Sequence, residues 1–216
     1  MPENKEIEIM ESVYDKNSEV ASNINQSLTM RGIYAINVMG APGSGKTSSL
    51  IQITKRLKDI TPYVIEGDIE ADFDTKALQA LGIAAIQINT GGACHLDSPL
   101  IGEAVDQLEL NNGILFIENI GNLVCPAEFM IGEHAKMLIS TMTEGSDKPY
   151  KYPLAFEKAD IILLNKTDLM PYLDFDEDFF MKGVRGVNKT APVFKVSCKT
   201  EEGFDEVALW IMEKAK

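Results

Sequence analysis

"GAPGSGKT" occupies residues 40–47 and directly follows the apolar run "IYAINVM" at 33–39. The octet reads G-x-x-x-x-G-K-T. Its glycines let the backbone close around phosphate oxygens where a Cβ would collide. The helix expected to open at Lys46 adds unpaired N–H groups and the positive end of its dipole. Gly43, Ser44, Gly45, Lys46, Thr47 and Ser48 are therefore candidate nucleotide contacts. In this motif the lysine reaches the β and γ phosphates and the hydroxyl after it holds Mg²⁺. A glycine-rich turn that only caps a helix is the competing reading, and the strand–loop–helix context counts against it.

Outward from this loop, apolar runs recur: "PYVIEG" (62–67), "IAAIQI" (83–88), "GILFIEN" (113–119), "AKMLISTM" (135–142), "ADIILLN" (159–165) and "APVFKVS" (191–197). They are continuous rather than alternating, as strands covered on both faces are. Helical stretches are expected between them at 46–59, 72–81, 97–110 and 202–215. The pattern predicts an α/β fold with a doubly wound, mostly parallel sheet flanked by helices. Ahead of it, residues 4 to about 30 carry Ile7, Met10, Val13, Tyr14, Val20, Ile24 and Leu28 at helical spacings. The expected division is an amphipathic helical appendage, 1–31, and a nucleotide-binding domain, 32–216.

The 216 residues carry a net charge of −13, which argues against nucleic acid and anionic membranes as partners. Neither an apolar leader nor a run long enough to span a bilayer is evident, and three scattered cysteines make no disulfide framework. A cytoplasmic location is the expectation.

In a doubly wound sheet, ligands gather where strands end. After the sixth run stands Asn165-Lys166-Thr167-Asp168, the N-K-x-D pattern of GTP-binding proteins. The Asp168 carboxylate can accept two N–H bonds from a guanine edge, a donor pair adenine lacks. Asn165 is placed to tie this loop to the phosphate loop, and the Lys166 stem to lie over the purine. Ser197 and Lys199, flanking Cys198 after the last run, resemble a companion base loop. Asp68, Asp74 and Glu118 are candidates, with Lys46, for sensing the γ-phosphate, positioning water and, in the case of Asp68 and Glu118, holding Mg²⁺. A helix cap or a solvated loop charge is the plainer reading of each carboxylate. Gly121 is a candidate hinge.

"NTGGACHLDS" (89–98) places Cys94 beside His95 after the third run, and Cys125 follows the fourth. Thiolate and imidazole together suit Zn²⁺ or Ni²⁺ rather than Mg²⁺. Three ligands leave a four-coordinate site one short, with water, Asp97 or a second subunit to complete it. Buried packing cysteines and a nucleophilic Cys94–His95 pair stay open as alternatives. His134 is expected at the surface and Cys198 as a small packing residue.

"GAPGSGKT", "EGD", "QINTGGACHLD", "ENIGNLVCPAEF", "TEGSDKPYKYP" and "NKTDLMPYLDFD" together resemble the HypB GTPases, over roughly residues 33–200. The resemblance implies a SIMIBI-class P-loop GTPase that assists nickel insertion into nickel–iron hydrogenases, with GTP or GDP, Mg²⁺, and Ni²⁺ or Zn²⁺ as cofactors. It implies slow hydrolysis, a metal site of Cys94, His95 and Cys125, and a nucleotide-dependent homodimer. The implied partners are another hydrogenase-maturation protein and the hydrogenase large subunit. The Cys-x-x-Cys-Gly-Cys motif and the His-rich tract of some members are not found in this sequence. The urease-maturation relatives carry a Cys-Pro-His type motif that is likewise not found.

Overall fold

Ile114 and Phe116 pack into one apolar layer and Leu115 and Ile117 into another, all four fully buried. That two-sided burial runs through the five inner strands of a seven-stranded sheet and explains their continuous apolar runs, while the two edge strands are only partly covered. The computed structural model describes the backbone of residues 5–68 and 73–216 and the side chains of 16–68 and 74–216. The strands are β1 (Ile33–Gly40), β2 (Thr61–Asp68), β3 (Ala84–Asn89), β4 (Gly113–Glu118), β5 (Ala135–Thr141), β6 (Ile161–Asn165) and β7 (Val193–Lys195). Their order is β3-β2-β4-β1-β5-β6-β7, and every pair is parallel. Each fully buried large apolar side chain contributes about 1.5–3 kcal/mol.

The helices are α1 (Lys5–Met30), α2 (Lys46–Thr54), α3 (Phe73–Ala80), α4 (Ser98–Gln107), α5 (Cys125–Glu128), α6 (Lys148–Lys151), α7 (Pro153–Lys158), α8 (Glu177–Val187) and α9 (Phe204–Lys214). One layer joins Leu50 and Ile53 of α2, Leu78 of α3 and Phe204, Val207 and Ile211 of α9. The opposite face is covered by Ile24 and Leu28 of α1 with Ile101 and Val105 of α4, and further along by Phe156 of α7 and Phe180 of α8.

Two helical expectations need correction. The second helix stops at Thr54 rather than near 59, because turns at Arg56 and Leu57 and a left-handed Asp59 (φ 60°) lead into β2. Helices α5 to α8 were not anticipated. The first three are short and open on proline, which suits a helix's first turn but reads as a breaker in sequence. Helix α8 contains Gly183, where a Cβ would stand 2.6 Å from the Tyr150 ring, so packing demands the glycine that disguises the helix.

Helix α1 docks on its own chain. The Asn17 amide donates to Met130 O (2.8 Å) and its oxygen accepts from Ser98 N (3.0 Å). Asn25 donates to Glu133 O at 3.0 Å. The side chains of Ile7, Met10, Val13 and Tyr14 lie outside the described residues. No described helix is long and apolar enough to cross a membrane.

His134 corrects another expectation, for it is half-buried and held at both nitrogens. Nδ1 accepts from Ala35 N (2.9 Å), which leaves Nε2–H to donate to Thr29 Oγ1 (2.9 Å), whose hydroxyl donates on to Asn25 O. The ring also stacks on Tyr34, with centroids 5.2 Å apart. Burial pushes the imidazole below its ordinary value, against the pull of Glu133. The unfolded chain therefore takes up a proton that the folded one resists, and stability present above about pH 6.5 falls as pH drops through it. Urea unfolding across that range is expected to show a shallower loss on acidification in His134→Gln than in the parent chain; parallel losses would reject the assignment.

Candidate functional site

The turn from β1 into α2 is built for close approach. A Cβ on Gly40 would lie 2.7 Å from Ile139 O, and one on Gly45 would lie 2.6 Å from the Asn165 amide nitrogen. Gly43 and Gly45 have φ of 71° and 89°, a backbone region costly for other residues. Ser44 is buried beneath the loop, while Gly43 and Ser48 are exposed at its rim and on the first turn of α2. The loop is held from the side by the end of β6: Asn165 donates to Ser44 O (2.9 Å) and Lys166 Nζ to Gly43 O (2.8 Å). The Lys166 ammonium thus ties the end of β6 to the phosphate loop.

Asp168 follows in a 3-10 turn, and Ser197 Oγ donates to its Oδ1 at 2.7 Å, which fixes one carboxylate oxygen. Lys199 is exposed at the same loop, and Cys198 packs behind it, its sulfur 3.4 Å from Ser49 Oγ.

On the other side of Lys46 lies a cavity of about 230 Å³ whose lining includes Lys46, Glu66, Asp68, Asp74, Glu118 and Gly121. The Thr47 hydroxyl lies 2.9 Å from Glu118 Oε1 and 3.0 Å from Asp74 Oδ2. Glu118 is buried and its Oε2 has no hydrogen-bond partner among the described residues. Burial pushes its carboxyl up to about 7, opposed by Lys46 and the Thr47 bond. A buried carboxylate oxygen without a partner, flanked by a hydroxyl and further carboxylates, is an all-oxygen donor set that fits a hard divalent cation. Gly121 lies against the phosphate loop, since a Cβ there would stand 2.9 Å from Pro42 N.

The third cluster stands past the ends of β3 and β4. Cys94 Sγ is 3.3 Å from His95 Nδ1 and 3.4 Å from Cys125 Sγ. One ligand atom from each of the three lies within 4.8 Å of the others, and this is the metal-competent His, Cys, Asp or Glu group found among the described residues. Asp97 is engaged elsewhere, its Oδ1 accepting from Leu100 N (3.0 Å) as the N-cap of α4. The His95 ring stacks on Phe129, centroids 4.4 Å apart. Burial keeps the imidazole below its ordinary value, against the pull of Asp97 and Glu128. Burial and the Cys94 contact push the Cys125 thiol up.

Residues 34–195 match the nucleotide-binding domain model of the CobW/HypB/UreG family. The hydrogenase maturation factor HypB of Azotobacter chroococcum is 43% identical over 213 residues, 98% of this chain and 70% of that protein. The chain belongs to the HypB family. Two HypB crystal structures share its fold. That of Helicobacter pylori, in complex with nickel, has a TM-score of 0.88 at 33% identity, covering 93% of this chain and 95% of that one. That of Archaeoglobus fulgidus has a TM-score of 0.87 at 30% identity, covering 94% and 100%.

Within this HypB-family site, three features escaped sequence reasoning. Glu66 is buried in β2, in register with Glu118 of β4, and Thr75 donates to its Oε2. Burial, Asp74 and Asp68 raise its carboxyl, against the Thr75 bond. A charge inside the apolar run "PYVIEG" was the available signal. Asn119 is buried beyond Glu118 and accepts from Leu96 N at 3.1 Å, next to His95. The third is a buried ion pair, Lys136 to Glu133 at 2.8 Å, whose ammonium also donates to Pro126 O (3.2 Å) and Phe129 O (2.8 Å). It clamps the turn that carries Cys125.

Removing one member of a buried pair leaves the other charge uncompensated, typically costing about 3–5 kcal/mol. Denaturant unfolding of Glu133→Gln is expected to show a loss of that size, with much of it recovered in Glu133→Leu combined with Lys136→Met. A loss under about 1 kcal/mol would mean that the pair is effectively solvated.

Proposed function

We propose that this chain is a slow GTPase whose nucleotide state sets the affinity of a Cys94–His95–Cys125 metal site, serving nickel delivery to a nickel–iron hydrogenase. The observation that carries this reading is the convergence of three soft donors at the same sheet edge as the phosphate loop. Convergence on one point favours an ion over a nucleophilic pair, which would need only two of them. The family membership and the nickel complex of the Helicobacter pylori relative support the cargo assignment.

On this reading Gly43, Ser44, Gly45, Lys46, Thr47 and Ser48 bind the phosphates. Asn165, Lys166, Asp168, Ser197 and Lys199 form the base site. Thr47 and Glu118 with Asp68 would hold Mg²⁺, which would supply charge neutralisation at the phosphates. Asp74 and Asp68 are the candidates for orienting the attacking water, and Lys46 stabilises charge on the transferred group. Only three protein ligands come from one chain, so a second copy is the natural source of the rest. GTP then favours a homodimer with the metal site at or near its interface. Residues 1–31 act as an appendage to the 32–216 domain. Another maturation protein and the hydrogenase large subunit are the partners, in the cytoplasm.

Asp168→Asn removes the charge from two expected bonds to guanine, so GTP affinity is expected to fall by about two orders of magnitude while ATP binding changes little. Nucleotide competition assays measure both, and equal effects on the two would reject the base assignment. Size-exclusion chromatography with metal analysis of the same fractions tests the rest. With Ni²⁺ and a non-hydrolysable GTP analogue the chain is expected to elute as a metal-loaded dimer. Cys94→Ala and Cys125→Ala are expected to lose the metal; stoichiometric retention in both would assign the cysteines to packing.

A further inference from the structure

Asn122 touches all three parts of the proposed switch. Its backbone forms an isolated antiparallel bridge with Gly40, the first residue of the phosphate loop. Its side-chain amide donates to Cys94 O at 3.1 Å, and its Oδ1 accepts from Val124 N at 2.9 Å, fixing the turn that enters α5. Its neighbour Gly121 is pressed on Pro42, so the segment cannot shift without moving against the phosphate loop.

We infer that Asn122 is the positioning residue that couples the phosphate loop to the metal pair, setting the separation of the Cys94 and Cys125 segments according to the state of that loop. The geometry supplies the reason. Cys94 and Cys125 sit in segments 31 residues apart, and neither belongs to a strand or long helix that would hold the two together. One short carboxamide spans them, on a backbone whose other side is bonded to Gly40. A displacement of the loop after β1 therefore reaches both thiol-bearing segments through Asn122, which alone among their described links is also bonded to Gly40 in its backbone. Asn119 stiffens the adjoining segment: its Oδ1 accepts from both Leu96 N and Ile120 N, and its amide donates to Asn37. Movement is thereby confined to the stretch beyond it.

This inference rests on the nucleotide-gated metal reading and is tested by Ni²⁺ dissociation constants measured with GDP and with a non-hydrolysable GTP analogue. The parent chain, Asn122→Ala and Asn122→Ser are compared; serine keeps a hydroxyl that can accept from Val124 N and so preserves the turn. The parent chain is expected to show at least about a fivefold difference between the two nucleotide states, the lower end of typical couplings. Both variants are expected to bring the ratio to within about twofold of one, while each still binds Ni²⁺ and the analogue separately. A merely structural asparagine would weaken Ni²⁺ equally in both states and keep the parent ratio. That result in Asn122→Ser would overturn the inference, whatever the fate of Asn122→Ala. A ratio of one in the parent chain would overturn the gated-metal reading as well.

Discussion

All seven strands run the same way, and the rest of the molecule depends on that constraint. Parallel pairing leaves every carboxyl end on one edge, so loops far apart in sequence must share that edge. The phosphate loop leaves β1, the acidic cavity lies beyond β2 and β4, the base loop leaves β6, and the thiol cluster stands past β3 and β4. The five inner strands are buried on both faces, so none of them can slip in register without turning apolar side chains into the wrong layer. The edge is therefore rigid beneath and adjustable only in its loops.

What those loops hold follows from charge. A chain of net charge −13 must bind an anion locally. Lys46, the start of α2 and the backbone of a glycine turn are the proposed means, not a basic face. The carboxylates Glu66 and Glu118 lie side by side in register, both buried and both raised. Such a pair is unfavourable until a cation or a proton sits among them, which makes the acidic cavity sensitive to what occupies it. The thiol cluster differs in kind: soft donors, partly exposed, backed by an aromatic ring and by the buried Lys136–Glu133 clamp.

Contiguous features were legible in the sequence. The inner strands show as apolar runs because both faces are covered, and the phosphate and N-K-x-D loops show because their geometry uses neighbouring residues. Features made by long-range packing were not. His134 looked like a surface residue because its partners, Thr29 and Ala35, lie about a hundred positions away. Helix α8 was hidden by a glycine whose reason is the Tyr150 ring. Asp97, one of three candidates to complete the metal site, also caps α4 through Oδ1, a contact with Leu100 N that its place in a loop did not reveal. The Cys94–His95 pair was visible, but that Cys125 stands 3.4 Å from Cys94 depends on loops that pass the end of β2.

In the proposed coupling, the state of the phosphate loop reshapes the thiol site. X-ray absorption at the nickel edge, on Ni²⁺-loaded protein with GDP and then with a non-hydrolysable GTP analogue, reads that site directly. The number or distances of the sulfur and nitrogen ligands are expected to change between the two states; superimposable spectra would contradict the coupling.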